Sequence, residues 1–257
     1  MIRIVLFLLF TTTCPGQELL LQGNSPLAAD TFIGVDSYDY TYSITDNIIS
    51  KSGVKGTFQF SDIQLGDVTT LDIINPLKVV AFYNEFNTVV FLDNRLNEIK
   101  RINFNNLPSF LNAGAARNAG NNRLWLLNTD TQQIELYNYS TQQRIEISQP
   151  ITAEIKEVAS NFNYCFVLTD QEVKQYNIYG GLLYVYKISG GRLLTQDNEN
   201  LVVSTVSQLL YKAKSSENLT PLIYQEILPI SLQLQRDLLY IYNGEKVAIF
   251  SLNQPKK

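Results

Sequence analysis

The 257-residue chain contains no histidine. That absence removes Ser-His-Asp and Cys-His catalysis, His-ligated zinc and the commonest general base near neutral pH. Cysteine is nearly absent as well, with Cys14 and Cys165 alone, so no disulfide framework is expected. Cys165 lies in "NYCFVLTD", between strand-forming residues and without a histidine to activate it, and reads as a small core residue. Only 17% of residues are charged and the net charge is -4. No block of Lys or Arg follows a phosphate backbone, which argues against a nucleic-acid partner. There is no Walker-type loop and no dinucleotide fingerprint. The paired glycines of "YGGLL" at Tyr179 and "SGGRL" at Ser189 read as turns between strands. Trp125, the single tryptophan, stands among alternating apolar residues in "RLWLLN" and reads as core. No segment after the N-terminal apolar run is long enough to span a bilayer.

What the chain does have is 45% hydrophobic residues, 15 Tyr and 13 Phe, with scattered Asn, Gln, Ser and Thr. Aromatic and β-branched residues broken by Asn-containing turns favour strands over helices. The N-terminus carries one positive charge at Arg3, an apolar run from Ile4 to Phe10, and the small and polar residues "TTTCPGQ", the pattern of an export signal. Two processing routes compete. Ordinary cleavage after Gly16 or Gln17 makes residues 1–17 the signal and discards Cys14. Lipoprotein processing makes the signal 1–13 and acylates Cys14, although Thr13 is bulkier than the residue usually found before a lipidated cysteine. Either route predicts an exported protein, periplasmic or outer-membrane-associated, touching the membrane only through a lipid at Cys14. No linker rich in Pro, Gly or Ser divides residues 18–257, which read as one domain.

A pattern recurs along that domain. "KVVAFYNEFNTVVFLDNRLNEIKRI" from Lys78, "RLWLLNTDTQQIELYNYSTQQRIEI" from Arg123, "YCFVLTDQEVKQYNIYGGLLYVYKI" from Tyr164 and "NLVVSTVSQLLYKAKSSENLTPLIY" from Asn200 each read strand, turn, strand, turn, strand. Their turns fall at Asn84-Glu85, Asn128 to Asp130, Thr169-Asp170 and Ser204-Thr205. Weaker copies begin at Thr31 and Leu238. Successive copies start roughly 36 to 46 residues apart, the period of a four-stranded propeller blade. "TTLDII", "EIKEVAS", "RLLTQ" and "ILPISLQLQ" supply a fourth strand just upstream of four copies. The expected fold is all-β: a six-bladed β-propeller of four-stranded antiparallel blades, whose ring is closed by an N-terminal strand such as "ELLLQG" from Glu18. Closure removes the edges that an open sheet exposes. A large sandwich or a pair of β domains is the alternative.

The stretch "INPLKVVAFYNEFNTVVFLDNRLNEIKRINF" with "NRLWLLNTDTQQIELYNY" resembles a group of exported β-propeller proteins of flavobacteria and related Bacteroidota. The likeness is clearest from Leu71 to Tyr139 and is one of strands and turns. It implies a Gram-negative envelope location and carries no established activity to transfer.

Function is therefore read from surfaces. Turns between the second and third strands of the blades place Asp36, Asn84, Glu85, Asn128, Asp130, Asp170, Asn243 and Glu245 at matching positions, and these are expected to form one partner-binding face. That reading is a non-enzymatic protein-binding scaffold of the cell envelope with no catalytic residue, no metal site and no cofactor. The alternative is a ligand-binding or metal-dependent hydrolytic propeller working through carboxylates at its central channel, with calcium as the candidate metal. The acidic pairs Asp36/Asp39 and Asp197/Glu199 lack calcium-loop spacing and read as turn residues. The sequons at Asn138 and Asn218 read as chance matches.

Overall fold

A computed structural model describes residues 17–224 and 229–252. Cys14 and the expected signal, up to residue 16, lie outside the described residues. The chain opens with β1 (Gln17–Pro26), followed by β2 (Thr31–Val35), β3 (Thr41–Thr45), β4 (Ile48–Gly53) and β5 (Gly56–Phe60). Next come β6 (Thr70–Asp72), β7 (Val79–Tyr83), β8 (Thr88–Leu92) and β9 (Glu98–Asn103), then β10 (Ala113–Asn118), β11 (Arg123–Asn128), β12 (Gln133–Asn138) and β13 (Gln143–Glu146). After these come β14 (Glu157–Ser160), β15 (Tyr164–Leu168), β16 (Glu172–Asn177) and β17 (Leu182–Lys187). The last are β18 (Gly191–Asp197), β19 (Asn200–Thr205), β20 (Leu209–Lys212), β21 (Thr220–Ile223), β22 (Ser231–Gln235), β23 (Leu238–Tyr242) and β24 (Lys246–Leu252).

Strands β2–β5, β6–β9, β10–β13 and β14–β17 form four antiparallel meanders of four strands each. The remaining eight strands form one sheet in the order β18-β19-β20-β21-β1-β24-β23-β22. Its two halves are antiparallel, and they meet where β1 runs parallel to β21 at Gln17–Leu222 and Glu18–Ile223. The architecture is an all-β propeller with four-stranded antiparallel blades. It differs from the expectation of six separate sheets because the N-terminal strand bonds on both sides. β1 completes the last blade by pairing with β24 from Leu19–Leu252 to Pro26–Lys246, and its first residues also cover the neighbouring edge.

The repeated apolar strand pair follows from two-sided burial. Every residue of β7 and β8 is buried. Side chains alternate across a strand, so Val79, Ala81 and Tyr83 pack with Tyr42, Ile44 and Ile49 of the preceding blade. Val80 and Phe82 face the other way, onto Ala113, Ala116, Leu124 and Leu126. A strand covered on both faces needs a continuous apolar run rather than alternation. The outermost strand β9, "EIKRIN", is mostly exposed and charged, which suits a blade rim. Cys165 and Trp125 are buried, as read from sequence, and the indole of Trp125 donates to Asn161 O at 2.9 Å.

Turns explain the abundant Asn and Asp. The side-chain oxygens of Asn118, Asn128, Asn138, Asn161, Asn177 and Asn243 each accept the backbone N–H two residues on. Asp46-Asn47, Asn121-Asn122, Asn198-Glu199 and Arg236-Asp237 are successive positive-φ pairs, the backbone of tight two-residue hairpins. Two details depart from the sequence expectation. The "TFIGV" segment is the innermost strand of its blade, so the first copy is out of phase by one strand. Ser204 and Thr205 end β19, and the turn falls at 206–208.

Candidate functional site

The innermost strands β2, β6, β10, β14, β18 and β22 surround a central cavity of about 1020 Å³. Each presents a strand edge there, with backbone groups that no fourth neighbour pairs. Side chains of adjacent blades take that place. Gln233 Oε1 accepts Val35 N at 2.6 Å while Gln233 Nε2 donates to Val35 O at 2.9 Å. Thr195 Oγ1 accepts Leu234 N, and Asp197 Oδ2 accepts Arg236 N. Glu157 Oε2 accepts Leu194 N at 2.6 Å, and Gln196 Nε2 donates to Ser160 O at 2.7 Å. Asp72 Oδ2 accepts Asn118 N at 2.7 Å. Arg117 spans two joints, with Nε on Val158 O at 3.1 Å and Nη1 on Leu71 O at 3.3 Å. Among the described residues no such bond joins β2 to β6. Gly34 is required at its place: a Cβ there would meet Gln233 Cδ at 2.5 Å.

These bonds advance in the same sense along both strands of a joint: Leu194 with Glu157, then Gln196 with Ser160. The inner strands therefore run parallel around the ring, and all turns between second and third strands share one face. Asn84 and Glu85 (β7 to β8), Asn128 and Asp130 (β11 to β12), Asp170 (β15 to β16), and Asn243 and Glu245 (β23 to β24) lie there. Asp36 does not. It joins β2 to β3 on the opposite face, is 2% exposed, and pairs with buried Lys51 at 3.2 Å. Its Oδ1 also accepts Tyr38 N and Tyr40 N, and it accepts from Tyr42 OH at 3.1 Å. Burial, then the charge of Asp36, raises the Tyr42 phenol above its ordinary range. The residue that occupies the matching position in the first blade is Asp46, between β3 and β4, which is exposed.

Asp46, Glu85, Asp130, Asp170 and Glu245 are exposed carboxylates on this face. Asn128 is different: it is buried, donates to Glu135 Oε1 at 2.7 Å and caps its own turn. Asn243 likewise accepts Glu245 N and Lys246 N. These two amides shape the turns, and the carboxylates beside them meet solvent. On the opposite face the acidic pairs have partners: Glu199 holds Lys214 at 2.6 Å, and Asp39 lies 3.8 Å from Arg236.

The cavity wall holds charges that sequence reading missed. Asp72 is 7% exposed, and burial raises its carboxyl against the pull of Arg117 and two backbone N–H bonds. Burial pushes the half-buried Glu157 up to about 7, opposed by Arg117 and by the Leu194 N–H. Burial likewise pushes the Cys165 thiol far up, with Arg117 opposing, so a thiolate nucleophile is disfavoured. The signal available in the sequence was a charge at the end of an otherwise apolar inner strand, in "TLD", "AARN" and "EVAS". Among the described residues no three His, Cys, Asp or Glu gather in a group that could hold a metal ion, and no helix is long and apolar enough to cross a membrane.

No protein-family model and no curated protein sequence matches this chain. Solved structures do. A streptogramin B lyase superposes with a TM-score of 0.63 at 12% identity over 90% of this chain and 98% of its own. The extracellular domain of a hybrid two-component system from B. thetaiotaomicron gives 0.60 at 12% identity, over 90% of this chain and 36% of its own. PorZ, a surface component of the type-IX secretion system of Porphyromonas gingivalis, gives 0.53 at 13% identity, over 85% and 31%. The chain spans about a third of the length of the latter two. At such identities the likeness is one of fold, and it includes propellers of Bacteroidota.

Proposed function

We propose that this protein is a non-enzymatic binding scaffold of the bacterial cell envelope, which docks a basic protein partner on its acidic face. In this reading the two halves of the eight-stranded sheet act as separate blades, giving six blades closed by β1. The observation that carries the reading is recurrence: Asp46, Glu85, Asp130, Asp170 and Glu245 stand exposed at equivalent turns of five blades. A rigid ring holding carboxylates at fixed spacing creates a field that steers and selects a cationic surface. Charge there adds little to stability, because exposed carboxylates contribute almost nothing to folding. Their recurrence is thus better suited to recognition than to holding the blades.

Location follows the export signal, and an extracellular domain and a secretion-system surface component among the structural neighbours support the same placement. Anchoring is assigned to Cys14 if lipoprotein processing occurs; otherwise the protein is free in the periplasm. The test is capture from envelope extracts at near-native expression, using the parent and a charge-reversed variant with Glu85→Lys, Asp130→Lys, Asp170→Lys and Glu245→Lys. The parent retains a partner at low salt and the variant loses it, with unchanged circular dichroism. Equal capture by both proteins rejects the acidic face as the docking surface.

A further inference from the structure

The rim of the ring presents strand edges that have no neighbour among the described residues. β5, β9, β13 and β17 are the outer strands of their sheets. A free edge is a template for another strand, and charged side chains are a common protection against such pairing. β9 carries Glu98, Lys100 and Arg101, and β13 carries Arg144. β5 exposes Gly56, Thr57 and Gln59 rather than apolar residues. The edge of β17 lacks this protection. In "LLYVYK" the run Leu182, Leu183, Tyr184 and Val185 is apolar or aromatic and between 40% and 51% exposed. Its one charged residue, Lys187, ends the strand and is held by Glu172 of β16.

Opposed residues of an antiparallel pair alternate between exchanging both backbone bonds and exchanging none. Ile188 N donates to Gln171 O, and the register continues as Lys187–Glu172, Tyr186–Val173, Val185–Lys174 and Tyr184–Gln175. Tyr184 and Tyr186 therefore bond inward to β16, and the N–H and C=O groups of Val185 and Lys187 point outward. These two free residues flank Tyr186. A two-fold axis through Tyr186 sets Val185 opposite Lys187 of a second copy, and Lys187 opposite Val185, so that both pairs exchange their bonds. The charges fit as well. No like charges stand directly opposite, each ammonium brings its own carboxylate in Glu172, and the alkyl stem of each lysine covers the facing valine. On the other side of the strand Tyr184 stacks on Tyr186 with centroids 5.7 Å apart. Lys212 Nζ lies 6.0 and 5.6 Å from those two rings. The strand is thus ordered before it pairs, which lowers the entropic cost of association. We propose that β17 is a homodimer interface, in which two copies join edge to edge in antiparallel register about Tyr186. Such a contact uses the same patch on both copies and closes at two. A single strand edge is smaller than a standard interface, so the dimer is a reversible one.

The dimer does not rest on the proposed partner face. Sedimentation velocity of the purified protein over a concentration series tests it, together with amide exchange read by NMR. The parent passes from monomer to dimer as concentration rises, with no larger species. Val185→Lys places an ammonium opposite Lys187 of the other copy and raises the dissociation constant at least ~10-fold. In the parent, exchange of the Val185 and Lys187 N–H groups slows as concentration rises, while the Tyr186 N–H, already bonded to β16, changes little. A protein that stays monomeric at every concentration overturns the proposal, even if an unrelated strand is captured at this edge. So does assembly that continues beyond two copies, and so does Val185→Lys dimerising like the parent. Exchange at Val185 and Lys187 that is independent of concentration also overturns it, and that measurement needs no variant to fold.

Discussion

At the scale of single residues, the polar side chains of this protein divide into those that build turns and those that join blades. Asn128 and Asn243 satisfy backbone N–H groups within their own hairpins. Gln233, Thr195, Glu157 and Asp72 satisfy the inner edge of the blade next door. Glu157 is the most informative of the second kind, because burial lifts its carboxyl from an ordinary 4.5 to about 7. Between those two values the folded chain holds a proton that the unfolded chain has released. Stability therefore falls as pH rises from 4.5 through 7. Glu157→Gln keeps an acceptor for Leu194 and removes the titration. Urea unfolding at pH 4.5, 6 and 8 should show the variant gaining on the parent by roughly 2 kcal/mol across that range, since cavity water screens part of the effect. Asp72 titrates in both proteins and cancels in the difference, so a gap that stays constant with pH refutes the role given to Glu157.

At the scale of elements, β1 has the largest leverage for its length. It is the fourth strand of the last blade, and Leu19 packs against the core that contains Leu239, Ile241 and Phe250. Its first two residues also bridge to β21. Removing Gln17–Pro26 exposes both edges and part of that core. The expected loss is on the order of 5 kcal/mol, a fall in melting temperature of about 10–20 °C for a chain of this size. A synthetic peptide of that sequence, added in excess, should recover part of the loss by refilling the edge. A truncated protein that melts with the parent would mean that β1 is not the closing strand. The strand pairs of β7–β8 and β11–β12 were legible from local pattern, because two-sided burial writes a continuous apolar run. The phase of the first blade was not. "TFIGV" has strand composition whether it is innermost or second, and only its bonds to Gln233 decide. Asp36 and Asp46 exchanged roles for that reason.

At the scale of the whole molecule, the ring has joints of unequal strength. Five are laced by side chains that reach a neighbouring backbone. The joint between β2 and β6 has no such bond among the described residues and relies on the apolar cluster of Tyr42, Ile44, Ile49, Leu71 and Val79 and on the chain that crosses it. Leu19 and Leu252 are direct strand partners, so residue 257 can be linked to residue 17 to make circular permutants. One opened between Gly66 and Asp67 cuts the chain at the unlaced joint and should melt several degrees below one opened between Ser189 and Gly190, where Glu157 and Gln196 hold the blades. Equal melting temperatures, or the reverse order, would show that lacing does not control the ring. Scanning calorimetry of the two proteins measures this directly.

By itself the sequence determined that the chain is built of strands, where most of them begin and end, that they recur in blade-sized sets, and that Trp125 and Cys165 belong inside. Each of those properties depends on a few adjacent residues, through side-chain alternation, burial and turn chemistry. Only the tertiary structure decided which strand lies innermost in the first blade, that β1 bonds to two edges, and that Arg117, Asp72, Glu157 and Ser160 share one cavity wall. Those residues are up to 88 positions apart (160 − 72). They meet because closing the ring brings unpaired strand edges side by side, and the groups that satisfy such edges carry no local periodicity.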